Sequence, residues 1–272
     1  MRVLVAALLL LLSVPPARAW CDDGHRVVGW IAEERLTPAA RTAVGKLLGP
    51  GVRLSDYDVA SWADDVKYRR PETGPWHYVN IPLEAAGYRA DRDCPRGDCV
   101  IARIEALTRV AGDSARPLDE RSEALRFVVH LVADLHQPLH CAERTNAAGV
   151  KDRGGNLRTV LYPRQVPATN LHAVWDTSLV LEAEGVDDVV TYAMRLGQSI
   201  RREDAERWRR GTVTSWAEEA HRLAERAYRG VDPDGSPVLL PPDYVATSLR
   251  IVDEQLSRAG VRLAALLNAA LQ

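Results

Sequence analysis

The chain has 272 residues, 46% of them hydrophobic, with 35 basic and 37 acidic side chains, a formal charge of -2 and a pI near 6.4. That is enough apolar material for one full core. The near-neutral balance excludes a broad basic face of the kind that clamps duplex phosphates, so any attraction for nucleic acid must be local.

Residues 1–19 read as a processing signal: Arg2 supplies the charge, 3–14 a short apolar run, and Ala17-Arg18-Ala19 the small-x-small form of a cleavage site. The run is too short to span a bilayer comfortably. A secreted or periplasmic protein free of the membrane is therefore expected, with a single domain over residues 20–272. Cleavage after Ala19 leaves Trp20 first, and its free amine and carbonyl oxygen can chelate a metal, which an internal peptide nitrogen cannot.

Val27, Val28, Ile31 and Ala32 recur at helical spacing within 24–36. Thr37-Pro38 supplies an N-cap and a first-turn proline for a helix that runs to Leu48 and stops at Gly49-Pro50-Gly51. A helix over 56–68 carries Asp64, with Lys67 one turn later on the same side. Residues 69–97, broken by proline and glycine, read as a long irregular loop holding His77 and Tyr78; such loops are usually functional. Helices follow over 99–110 and 119–135, then a short strand at 157–162 suited to a hairpin. Further helices cover 170–181, capped by Asn170, then 187–201, 214–229 and 243–267. The last is amphipathic and reads as a core helix, and His221, in a charged stretch, as a surface residue. The expected fold is mainly α, with a short β-hairpin.

Four cysteines suit an oxidising compartment and allow three pairings. Cys94 with Cys99, bracketing Pro-Arg-Gly-Asp, and Cys21 with Cys141, each beside a candidate ligand, are preferred.

The chemistry concentrates in 125–156. His130 and Asp134 are four apart in an apolar run, so they share one helix face; Pro138 ends that helix and His140 follows on the turn. His172 and Asp176 repeat the spacing, and His25, Asp64 and His77 complete a set of five histidines and three aspartates. A lone buried histidine is usually a satisfied core residue. A set like this in apolar surroundings asks for a cation in its midst.

Trp20 with His25 five on, Trp-Ala-Asp at 62–64, Trp-His-Tyr-Val-Asn at 76–80, His130-x3-Asp134-Leu-His-Gln-Pro-Leu-His140, Asp-Arg-Gly-Gly-Asn at 152–156 and Asn-Leu-His-Ala-Val-Trp-Asp at 170–176 together resemble the zinc-dependent single-strand-specific nucleases. That family includes the secreted fungal 3'-nucleotidases and mung bean nuclease. The resemblance runs by motif from Trp20 to about Val180.

It implies a single-domain fold of the phospholipase C/nuclease type with three zinc ions. Asp64, His77, His130 and Asp134 would hold one; the amine and carbonyl of Trp20 with His25 and Asp134, the bridge, a second; His140, His172 and Asp176 the third. The activity implied is hydrolysis of single-stranded DNA, RNA and 3'-mononucleotides by a monomer, with water activated on zinc as the attacking group. Lys67 would neutralise the phosphoryl oxygens, with Asp64 beside it in the catalytic set. Tyr78 is a stacking platform for a base; Asn80, where the family pattern leads one to expect an acid, and Asn156 would contact the nucleotide. His136 and Gln137 would orient a metal-bound group and Asp152 a metal-bound imidazole. Two alternatives stand: a zinc phospholipase C, whose last ligand pair is His-x3-Glu where this chain has His172-x3-Asp176, and a zinc- or nucleic-acid-binding protein without turnover.

Overall fold

Apolar periodicity becomes thirteen α-helices among the described residues of the computed structural model, which are 20–272 except 164 and 166. The expected signal at 1–19 lies outside them. In chain order they are α1 (Asp22–Glu33), α2 (Pro38–Leu48), α3 (Tyr57–Ala60), α4 (Trp62–Arg69), α5 (Ala90–Asp93), α6 (Val100–Gly112) and α7 (Leu118–Leu135). After a 3-10 turn at Pro138–Cys141 come α8 (Leu171–Ala173), a π turn at Val174–Ser178, α9 (Leu179–Glu184), α10 (Val189–Ser199), α11 (Arg202–Trp208), α12 (Val213–Ala227) and α13 (Pro242–Ala270). None is long and apolar enough to cross a membrane.

Helix α7 is the centre. Leu125, Phe127, Val128, Leu131, Val132 and Leu135 are all fully buried, and every residue from Phe127 to Leu135 is buried, so the C-terminal half of the helix is surrounded by protein. Each such side chain contributes about 1.5–3 kcal/mol by leaving water. The same burial denies solvent to His130 and Asp134. Helices α6 and α7 pack together, α1 lies on α13, and α12 covers the turn Pro138–Cys141. The α1–α13 crossing is close enough to require Gly260, where an added Cβ would lie 2.4 Å from Ile31 Cγ2.

Thr37 caps α2 by accepting from Ala40 N, and Asn170 caps α8 by accepting from Ala173 N, as the residue types predict. The strand β1 (Thr159–Leu161) pairs antiparallel with β2 (Thr169–Asn170), giving the expected hairpin. A third strand, β3 (Val238–Leu239), joins β1 in parallel; a two-residue strand carries no alternation to read.

Several expectations are corrected. The helix over 56–68 is broken at Ser61, and the loop over 69–97 contains a 3-10 helix, Pro71–His77, with proline at its first position. Helix α11 was not foreseen. The run over 170–181 widens into the π turn around Asp176; such bulges are frequent at functional sites. His221 is buried, its ring nitrogens facing the carbonyls of Cys141 at 3.1 Å and Ala85 at 3.3 Å, because α12 turns its apolar face, not its charged one, toward the Pro138–Cys141 turn.

Cys94 and Cys99 form a disulfide. Cys21 and Cys141 are free thiols. Successive residues on a 3-10 turn point about 120° apart, so while His140 faces inward to the aspartates, Cys141 donates to Leu135 O at 3.3 Å.

Candidate metal centre

Six segments deliver the candidate ligands to one place: α1 brings His25, α4 Asp64, the Pro71–His77 turn His77, α7 His130 and Asp134, the next turn His140, and α8 with the π turn His172 and Asp176. All eight are buried. The start of the described chain is pinned among them, because the Trp20 indole donates to Ala133 O at 2.8 Å and Cys21 N donates to Asp176 O at 2.6 Å.

His130 Nε2 lies 3.2 Å from His77 Nδ1, 3.3 Å from Asp134 Oδ2 and 3.6 Å from Asp64 Oδ1. His77 Nδ1 is 2.9 Å from Asp134 Oδ2 and 3.8 Å from Asp64 Oδ1. Ligand atoms held tetrahedrally at 2.0–2.1 Å stand about 3.3 Å apart, and the observed distances bracket that value. The other Asp134 oxygen, Oδ1, is 3.5 Å from His25 Nε2 and 3.9 Å from His140 Nδ1. Beyond it, Asp176 meets His140 Nε2 at 3.6 Å through Oδ1 and His172 Nε2 at 3.3 Å through Oδ2. Three groups, His25–Asp64–His130, His77–His130–Asp134 and His140–His172–Asp176, each hold their donor atoms within 4.8 Å of one another. His25 thus neighbours Asp64 and His130 as well as Asp134, and its ring stacks on His130 at 3.9 Å.

The backbone sets the imidazole orientations. His130, His140 and His172 each donate Nδ1–H to a carbonyl, of Ala60 at 2.8 Å, His77 at 2.8 Å and Gly154 at 2.7 Å. With that proton fixed, Nε2 keeps its lone pair for a metal. Gly154 must be glycine: its φ is 61°, and an added Cβ would lie 2.4 Å from Leu139 O and 3.3 Å from His172 Nδ1. Arg153 beside it is also left-handed, at φ 55°, the one non-glycine residue in that region among those described.

Both ring nitrogens of His25, His140 Nε2, Asp64 Oδ2, Asp134 Oδ1 and Asp176 Oδ2 are buried with no hydrogen-bond partner. Each such orphan costs about 1–3 kcal/mol if left unmatched, and a borderline-soft cation that takes nitrogen and carboxylate oxygen answers all of them. The donor set therefore fits zinc. Burial pushes the Asp134 carboxyl up, but the charge of His130 and the hydrogen bonds from His130 and His77 hold it well below the usual carboxylate range. Burial lowers His25 and His172, favouring the neutral imidazole that a metal needs. His140 goes the other way: burial opposes its charge, yet the Asp176 hydrogen bond and the charges of Asp134 and Asp176 push it up to about 9.

A family model described as S1/P1 Nuclease matches residues 20–272. The chain belongs to the S1/P1 nuclease family. It is 32% identical to Endonuclease 2 of Arabidopsis thaliana, over 98% of this chain and 95% of that protein. It is also 30% identical to Nuclease S1 of Aspergillus oryzae over 92% and 91%, and 29% identical to Nuclease P1 of Penicillium citrinum over 92% and 97%. As an S1/P1 nuclease it is a zinc-dependent endonuclease, a hydrolase acting on phosphodiester bonds.

In this nuclease Lys67 points at the cluster, its Nζ 2.5 Å from Asp64 Oδ1. Burial works against the ammonium, but the charge and hydrogen bond of Asp64 raise its pKa above the usual lysine value. Tyr78 is exposed beside His77, Asn80 is half-buried, and Asn156 donates through Nδ2 to Arg153 O at 2.9 Å. Gln137 donates to Asp176 Oδ1 at 2.6 Å.

Two expected positioning roles are corrected. His136 has both ring nitrogens occupied away from the ligands, Nδ1 with Val132 O at 2.7 Å and Nε2 with Arg262 Nη1 at 3.0 Å. Asp152 accepts from Arg144 N and the Tyr228 hydroxyl, and the carbonyl of Gly154 orients His172 in its stead. The carbonyls of Ala60, His77 and Gly154 escaped sequence reasoning because every residue has one.

Proposed function

We propose that this nuclease holds three zinc ions and hydrolyses single-stranded DNA and RNA to 5'-phosphonucleotides, with activity on 3'-mononucleotides. Asp64, His77, His130 and Asp134 would hold the first ion, the freed amine and carbonyl of Trp20 with His25 and Asp134 the second, and His140, His172 and Asp176 the third. The observation that carries this reading is Asp134, whose two oxygens, buried in the protein, face separate sets of imidazoles. The pinning of Trp20 against Ala133 supports the second ion.

When bound, zinc supplies Lewis-acid chemistry, lowering the pKa of water to about 7 and neutralising charge on phosphate and leaving oxygens. Lys67 reaches from α4 to the phosphoryl oxygens and stabilises the charge that grows there. Tyr78 offers its exposed ring to a base, while Asn80 and Asn156 contact the nucleotide. A base seated on Tyr78 while its phosphate meets the cluster has left its helical stack, which is the physical source of single-strand preference. Export with cleavage after Ala19, to the periplasm or beyond, frees the Trp20 amine; the protein then acts as a monomer.

Elemental analysis of the processed protein should find three zincs per chain. Denatured DNA and 3'-AMP should be hydrolysed, duplex DNA much more slowly, with activity lost to EDTA and regained with zinc. Equal rates on duplex and single strand, or fewer than two zincs, would overturn the reading.

A further inference from the structure

Away from the metal centre, a cavity of about 310 Å³ opens between the end of α12 and the start of α13. Its aliphatic wall is the chain from Val238 to Pro241, where β3 leads into α13; the buried Tyr244 of α13 lines it too, and Arg226 and Arg229 face it from the end of α12. Small-molecule pockets begin at about 300 Å³, so the space suits a ligand at the small end of that range. None of the candidate metal ligands lines it, nor does Lys67, Tyr78, Asn80 or Asn156.

The charge on this cavity is uncompensated. Arg226 and Arg229 are exposed, and neither side chain has an ion-pair or hydrogen-bond partner among the described residues. Arg226, in the last turn of α12, complements the dipole of that helix, but Arg229 lies beyond the helix. Asp243 is the one acid on the lining, and it sits in the first turn of α13, where the N-terminal dipole already stabilises its charge. Two guanidiniums are thus left to an incoming anion, and their planar forks match a carboxylate.

The rest of the lining asks for an alkyl body. The Tyr244 hydroxyl is committed, accepting from Trp175 Nε1 at 2.9 Å and donating to Ala227 O at 2.7 Å, so that residue offers the cavity apolar ring surface and no hydrogen bond. Leu239 on the wall is exposed, and so is Leu161, its register partner on β1. Paired residues on neighbouring strands project from one face, so the apolar surface continues past the mouth.

We propose that this cavity binds an amphipathic carboxylate, the class of a medium-chain fatty acid, with the alkyl chain against Val238, Leu240 and Tyr244 and the carboxylate between Arg226 and Arg229. The nuclease function proposed above needs none of these residues, so the two readings stand or fall separately.

The test is calorimetric titration of the zinc-loaded protein with decanoate below its micellar concentration, beside octanoate, octanol and 5'-AMP. Decanoate should saturate a single site. Each buried methylene is worth about a fourfold change in affinity, so octanoate should bind about tenfold more weakly. Octanol, which lacks the charge, should lose about a further tenfold, and the Arg226→Ser/Arg229→Ser double variant should weaken decanoate by about the same factor. Thr247→Trp, which fills the cavity from α13, should abolish decanoate binding, with zinc content unchanged in both variants. Absence of saturable decanoate binding, or binding indifferent to both variants, would overturn the site. So would 5'-AMP binding more tightly than decanoate and weakening with the arginine substitutions, since the cavity would then take a nucleotide.

Discussion

All seven histidines of this nuclease are buried, but His136 and His221 stand apart from the five that converge on the aspartates. His136 sits two residues past the ligand candidate Asp134 and is closed on both sides, donating to Val132 O and accepting from Arg262, which is itself held by Glu219 Oε2 at 2.5 Å and Trp208 O at 2.9 Å. His221 likewise meets a carbonyl at each ring nitrogen. His130, His140 and His172 are anchored on one side only, with the free nitrogen turned toward carboxylates. Burial therefore does not mark a ligand. Convergence of imidazole nitrogens with carboxylate oxygens does, because a cation in their midst is what repays the desolvation of the whole set.

The largest effect should come from breaking the converging set at its hub. Asp134→Ala should lower activity about a thousandfold or more, since a bridging ligand supports several kcal/mol of Lewis-acid stabilisation. Zinc content, measured on the same sample, should drop by more than one ion per chain; full loading would remove the bridge. Next comes metal removal. Ions held far above their dissociation constants stabilise the folded state by about 4 kcal/mol each, so EDTA should lower Tm by roughly 10 °C or more, and zinc should restore it. An unmoved Tm would show that the unmatched donors are tolerated without a cation.

The two histidines that stand apart should behave differently. His136→Leu strips Arg262 Nη1 of its acceptor inside the core, costing about 1–3 kcal/mol in stability. Zinc stoichiometry should not change, and a loss of zinc would erase the distinction between the two kinds of histidine. Smallest is a comparison between a buried acid and a half-buried one. Asp134 has imidazoles around it and is lowered, whereas Asp253 has the Tyr192 hydroxyl at 2.6 Å, and burial outweighs that bond and Arg195 to raise its carboxyl above 3.8. A raised carboxyl pKa means that stability is lost as pH rises through it. Asp253→Asn should therefore give a small rise in Tm at pH 7 that disappears below pH 3.8; a rise that persisted in acid would assign the effect to packing.

Much of this was legible beforehand. The His130–Asp134 and His172–Asp176 spacings place each pair on one turn whatever surrounds it, and the caps at Thr37 and Asn170 depend only on local hydrogen bonding. The break at Ser61 and the short α11 were not legible, since neither carries enough periodic residues to reveal its period. His221 and the Cys21–Cys141 pairing were misread for a shared reason. Both inferences took sequence neighbours as a guide to direction, and on helices and 3-10 turns adjacent side chains point apart.

What the sequence by itself determined is the inventory: mainly helical elements, a near-neutral chain, and imidazoles and carboxylates at spacings that suit metal ligation. These follow from short-range sterics and hydrogen bonding, which neighbouring residues settle among themselves. Only the tertiary structure decided that Asp134 turns its two oxygens to different partners, that Gly154 O and not Asp152 orients His172, and that His136 belongs to Arg262. Those choices depend on which distant groups the packing of α1, α7, α12 and α13 brings within about 3 Å, the range at which a hydrogen bond forms.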